Sequence, residues 1–368
     1  MEKSSTGLIQ PQRLMAVDAL RGFDMFWIIG GSYIITGLAK GLGAPLDAIT
    51  LQFEHVPWEG IHFEDLIWPL FMFLVGVSIP LSIARRKASG TTNSSLCLHA
   101  LRRAAILFIL GMVVQGDLLK WDLSKLHPFY SVLHGISAGY LIAIIVVVVL
   151  PLKRQAALIP VFLLLYWALL RLIPVPGIGA GVLTPDGNAA IWMDRVVQGR
   201  FHFGENTWFL SYLGFASSVL LGVMAGHLLM SSYNEKFKVK VLVGAGTTCV
   251  AVGLLWGLVF PIIKLLWTSS FVLVGGGFGF LMLALFYWVI EVKGYRRWAF
   301  FFTVIGMNSI FAYVATALIS FWQIGNVFVG AILPAIQPWD KFVSALAAFT
   351  VLWLVLYWMY RTKSFLKV

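Results

Sequence analysis

The chain has 368 residues, 60% of them hydrophobic and 12% charged, with a mean hydropathy of +0.87. No soluble domain carries enough polar surface to shield that composition, so lipid is the solvent for most of it. The formal net charge of +11 does not point to nucleic acid, because the basic residues stand in short clusters between apolar runs, the arrangement that orients membrane proteins.

A spanning helix needs about 20 apolar residues. Ten segments qualify in chain order: 17–38, 64–84, 99–118, 128–150, 155–174, 208–231, 240–261, 268–292, 298–321 and 340–360. The predicted fold is an all-α polytopic bundle of about ten transmembrane helices, one domain over 1–368. The 155–174 run is the weakest span because it contains Arg171. The first run begins near Val17, is too long for a signal h-region and lacks a small-x-small cleavage site. Cys97 and Cys249 have no ligand-like neighbours, which argues against a disulfide framework or a zinc site.

The connecting segments alternate in charge. Placing the N-terminus in the cytoplasm gives the inner side Lys3, Arg13, Arg21, Arg85, Arg86, Lys87, Arg102, Arg103, Lys153 and Arg154. It also gives it Lys236, Lys238, Lys240, Lys293, Arg296, Arg297, Arg361, Lys363 and Lys367, nineteen of the 27 basic residues in all. That asymmetry predicts both termini cytoplasmic. The outer side holds the longer loops, about 39–63, 175–207 and 322–339, and most of the acids. Trp58, Trp121, Trp208, Trp267 and Trp339 fit an interfacial belt there.

Charge inside a span is expensive and marks candidate sites. Asp18, Arg21 and Asp24 are spaced three apart at the start of the first helix, so Arg21 can pair with either acid. The cluster is either a structural ion pair or an anion contact. The segment from Phe53 to Asp65 holds His55, His62, Glu54, Glu59, Glu64 and Asp65. It lacks metal-ligand spacing such as H-E-x-x-H, so no metal is expected. A histidine beside acids suits general-base work, and Pro57, Trp58 and Gly60 suggest a loop held in one shape. Asn308 and Ser309 lie in an apolar run, either bonding between helices or contacting a ligand. Lys264 near Trp267 reads either as a snorkelling anchor or as an electrostatic stabiliser.

Asp18-Ala-Leu-Arg21-Gly22, His55-Val-Pro-Trp58-Glu59-Gly60 and Asp65-Leu-Ile-Trp-Pro69-Leu-Phe71 together resemble the heparan-α-glucosaminide N-acetyltransferase family. Asp194-Arg195, Leu213-Gly214 through Gly226, Lys264-Leu-Leu-Trp267 and Gly306-Met-Asn308-Ser309-Ile310 extend the resemblance over nearly the whole chain. It implies transfer of an acetyl group from cytosolic acetyl-CoA to an extracytoplasmic amino sugar or glycan, and a homodimer as one option. A bacterial inner (cytoplasmic) membrane is the expected location. His55 takes the place of the family's active-site histidine, either as a base in a ternary complex or as the acetyl carrier.

On this reading the catalytic candidates are His55, Asp65, Asn308 and Lys264. Arg21, Arg102, Arg103 and Ser309 are candidates for coenzyme binding, and Trp58, Glu59, Glu54, Asp194 and Trp267 for acceptor binding. The chain departs from the family pattern at Glu59, where asparagine is usual, at Ser32, and at Val132-Leu-His134-Gly-Ile136, which lacks a glutamine and an arginine. Two other readings stand beside the enzyme. One is a transporter, which would need repeats and midplane charges that this sequence lacks; the other is a non-catalytic glycan binder.

Overall fold

The computed structural model describes residues 14–43 and 47–366; Lys3, Arg13 and Lys367 lie outside them. Nine helices among the described residues are long and apolar enough to cross a membrane: Met15–Leu42, Phe63–Ala88, Asn93–Val114, Val132–Val149, Leu152–Leu172, Tyr212–Met230, Glu235–Gly257, Ser269–Val292 and Asp340–Arg361. With the bent pair Ala299–Met307 and Ser309–Leu318, broken by 71°, counted as one span, the number is ten. We number the spans one to ten in chain order, the bent pair being the ninth. Each falls on a predicted segment, including Leu152–Leu172, where Arg171 sits in the last turn. The protein is an all-α integral membrane bundle. Three shorter helices were not legible as such: Asp47–Leu51, Ala189–Gln198 and Phe321–Val329. All lie in the long loops and are too short to show a spanning signal.

Burial sorts the spans. The second, sixth and eighth have 78%, 72% and 61% of their apolar windows buried, whereas the third, fifth and seventh have 22%, 28% and 17%. The first group is the core and the second turns its apolar surface to lipid. The core can be tight because glycines meet there. A β-carbon on Gly222 would lie 1.9 Å from the Phe73 carbonyl oxygen, and one on Gly76 1.9 Å from that of Val219. The second and sixth spans therefore touch backbone to backbone, the small-residue packing that membrane helices use in place of a hydrophobic driving force.

The first span is not a regular helix. A π-helical segment covers Trp27–Gly31, and Gly30 within it has a φ of 146°, a conformation that costs glycine little and other residues much. Such bulges shift the register of the downstream turns, here carrying Ser32 to Glu64, whose Oε2 accepts its hydroxyl proton at 2.8 Å.

One loop outside the spans is as buried as the core. Phe260, Ile263 and Leu266 are fully buried and pack with Tyr166, Leu170, Ala189 and Ala190. This knot fixes the segment before the eighth span. Trp208 and Trp267, expected in an interfacial belt, are each 1% exposed. They pack at tilted and edge-on angles with Trp68 and Phe215 inside the bundle, because aromatic area finds more contact there than at the boundary. Trp121, 90% exposed, fits the belt.

Candidate functional site

The loop after the first span and the buried knot before the eighth are stitched together by backbone. Gly60 N–H donates to Ile262 O at 2.9 Å, and Glu59 pairs with Ile263 in an antiparallel bridge. Trp58 Nε1–H donates to Leu183 O at 2.8 Å, adding the 175–207 loop. The stitch brings Lys264 against His55, 209 residues apart in the chain.

Asp65 is the hub, 1% exposed. Its Oδ2 accepts the N–H groups of Val56 (3.3 Å) and His62 (3.0 Å), which fixes both ends of the loop. Its Oδ1 lies 2.9 Å from His55 Nδ1 and accepts from Lys264 Nζ at 3.1 Å. A carboxylate can only accept, so His55 Nδ1 carries the proton and Nε2 is the accepting nitrogen of the ring. Lys264 Nζ stands 3.0 Å and 3.4 Å from the two ring nitrogens. Burial holds its ammonium below the ordinary lysine range, while Asp65 and Glu64 pull it back up. His62 does not join this cluster; its Nδ1 meets Glu54 O at 2.8 Å.

This cluster opens on a cavity of about 210 Å³. His55, Lys264 and Glu64 supply its polar wall, and Met25, Ile28, Trp68, Phe71, Ile136, Ser309 and Tyr313 most of the rest. A second cavity, about 480 Å³, lies at the other end of the first two spans, lined by Asp18, Arg21, Ser78, Ser82, Arg85 and Arg86 among others. There Arg21 donates to Ser78 Oγ at 2.7 Å and pairs with Asp18 at 3.4 Å. Both cavities are built on the same two helices, one basic and one around His55.

The other sequence candidates fall in three places. Ser309 lines the His55 cavity, but Asn308 turns away from it. Asn308 donates to Ser364 O and accepts from Leu366 N, joining the broken ninth span to the chain after the tenth. Arg102 is exposed, and Arg103 lies over the Tyr140 ring at 4.8 Å; neither lines the basic cavity, whose further cations are Arg85 and Arg86. Asp194 is fully buried, accepting the N–H groups of Trp208 (2.7 Å) and Phe209 (3.0 Å). Trp267 Nε1–H donates to Ser218 Oγ at 3.0 Å. Asp194 and Trp267 thus brace the bundle and present no face to the cavity. Glu54 and Glu59 are exposed near His55 in the chain.

His134 is also structural. Its Nδ1 accepts Ser131 N–H at 3.1 Å, which leaves Nε2 to donate to Phe108 O at 3.0 Å. Sequence reasoning missed Arg85, Arg86, Trp68 and Tyr313 as wall residues. A helical wheel of the second span would have placed Arg85 two turns beyond Ser78 and one beyond Ser82.

The described residues thus form a polytopic helical membrane protein with a histidine–carboxylate–lysine cluster at one cavity and cationic side chains at another. The catalytic-region family model of heparan-alpha-glucosaminide N-acetyltransferase matches residues 13–254, and the chain belongs to that family. It is 26% identical over 97% of its length to the heparan-alpha-glucosaminide N-acetyltransferase of Homo sapiens, and 24% identical over 97% to that of Mus musculus. The chain spans about 60% of the length of these curated relatives. His55 and Asp65 lie inside the family match and Lys264 just beyond it.

Proposed function

We propose that the protein is an acetyltransferase that takes an acetyl group from acetyl-coenzyme A at the basic cavity. It passes that group to the amine of a sugar or glycan at the His55 cavity. The observation that carries this reading is the pair of cavities at opposite ends of the same two spans, one suited to an anionic donor and one to acid–base chemistry. Arg21, Arg85 and Arg86 receive the phosphates of the coenzyme as charge-assisted pairs. The positive-inside asymmetry supports a donor arriving from the cytoplasm and a seat in a bacterial cytoplasmic membrane. The name of the relatives supports a glucosamine-type acceptor.

In the reaction the acceptor nitrogen bonds to the thioester carbonyl carbon while His55 Nε2 takes a proton from that nitrogen. Lys264, already donating to Asp65, faces the oxyanion that forms. When the carbon–sulfur bond breaks, His55 returns its proton to the departing sulfur. Asp65 holds the ring in the tautomer that makes this possible. The His55 side chain is 59% exposed, so an acetyl-imidazole would stand open to water; this favours direct transfer in a ternary complex. Trp58, Glu54 and Glu59, which flank His55 in the chain, are available to the acceptor's hydroxyls and ammonium.

The test is incubation of the purified protein with labelled acetyl-coenzyme A and a panel of amino sugars, with His55→Ala alongside. Labelled N-acetyl product that disappears in the variant supports the reading. No product with any acceptor, and no protection against heating by coenzyme A, would overturn it. Uptake of a sugar that survives His55→Ala would instead indicate a transporter.

A further inference from the structure

The acyl-transfer site leaves a buried charged residue unused. Asp24 lies on the first span, fully buried, and neither oxygen of its carboxyl has a hydrogen-bond partner among the described residues. Arg21, one turn earlier, directs its guanidinium to Ser78 and Asp18, so it acts on Asp24 through its field alone. Glu64 is the other charged group whose field reaches it. Nearly all buried polar groups in proteins are paired, and an intramembrane carboxyl without a partner marks a functional position.

Its place in the fold says what the partner would be. Arg21 lines the basic cavity and Met25 the His55 cavity, about 6 Å of helix rise apart, with Asp24 between them. On the second span the same wall runs from Ser78 to Phe71, about 10 Å. A thioester with its anionic head in one cavity and its acetyl group in the other must pass its linking arm through this layer. The arm of coenzyme A contains two secondary amides, and an amide crossing an apolar layer needs a hydrogen-bond partner there.

We propose that Asp24 is that partner, its carboxyl accepting the N–H of an arm amide when a coenzyme A thioester occupies the bundle. The proposal rests on the acyl-transfer reading above. It requires the packed layer at Met25 to part as the arm enters, and it makes Asp24 a binding residue for the arm and not for the head.

The experiment compares two probes on the purified full chain: coenzyme A, and adenosine 3′,5′-bisphosphate, which is its head without the β-phosphate and the arm. Asp24→Leu should weaken coenzyme A binding by about tenfold or more and leave the bisphosphate unchanged, which also shows that the variant is folded. Asp24→Asn, which keeps an acceptor oxygen in the same place, should bind coenzyme A within about threefold of wild type. Unaltered coenzyme A binding by Asp24→Leu, or equal weakening of both probes, overturns the assignment while the acyl-transfer reading stands. Failure of the wild-type protein to bind coenzyme A at all overturns both together.

Discussion

Asp65→Asn separates the geometry of the His55 cluster from its chemistry. The carboxylate serves four donors, the Val56 and His62 amides on one oxygen and His55 Nδ1 and Lys264 Nζ on the other. Asparagine offers one oxygen and one group that only donates. If the oxygen stays with the two backbone amides, the new NH₂ faces His55, which must then accept at Nδ1 and carry its proton on Nε2. If the amide is reversed, two loop N–H groups lose their acceptor, at a cost of about 1–3 kcal/mol each. The first arrangement keeps both backbone bonds and gives up the one from Lys264, so the loop keeps its shape and the proposed base is lost. Loss of a positioned general base lowers rates by about a hundred- to ten-thousand-fold, equivalent to roughly 3–5 kcal/mol in the barrier.

The assay is single-turnover and steady-state acetyl transfer, with thermal unfolding of the same preparation. We expect kcat to fall by that factor while coenzyme A binding and the unfolding temperature stay close to wild type. A folded variant that retains kcat within about tenfold would refute the tautomer argument. In that case His55 would not be acting through Nε2.

Further tests reach other parts of the molecule. Asp194 is raised to about 6 by burial, against the pull of the Phe209 and Trp208 amides. A carboxyl raised in the fold contributes its full stability below the ordinary value of 3.8 and loses it as pH climbs through about 6. The loss amounts to roughly 3 kcal/mol, so wild-type unfolding temperature should fall between about pH 4 and pH 7 relative to Asp194→Asn; parallel curves would contradict this. Arg85→Gln and Arg86→Gln should each weaken coenzyme A binding about tenfold and flatten its salt dependence, whereas Arg102→Gln, off the cavity, should leave titrations unchanged. Gly222→Ala should prevent a stable bundle, since its methyl meets the Phe73 carbonyl at 1.9 Å. Gly244→Ala, with nothing within 4 Å, should unfold at the wild-type temperature; similar behaviour of the two would deny the close packing of the second and sixth spans.

All ten spans were legible because the membrane demands a long apolar run, and such runs survive errors of several residues at either end. The site was legible only in part. His55 and Asp65 share one loop and stand out together, but their contact with Lys264 depends on a backbone stitch between segments some 200 residues apart, which no local pattern encodes. Asp194 and Trp267 pass for acceptor contacts in the sequence for one reason: a polar or aromatic residue near a boundary looks the same whether it faces a cavity or a buried backbone amide. The spacing of Asp24 permits a pairing with Arg21, and only the tertiary placement of Ser78 takes the guanidinium elsewhere. The break at Asn308 is hidden because both halves of the ninth span are apolar.

The wall between the two cavities bears on the cell's energy supply. A membrane that stores an ion gradient cannot hold a protein with a continuous water path, and the packed layer around Met25 keeps the two mouths out of each other's solution. On the proposed reaction a chemical group would cross where ions find no path. An acceptor beyond the membrane could then be acetylated with no activated donor ever leaving the compartment that makes it. Leakage assays on vesicles containing the resting protein should therefore stay at the lipid background.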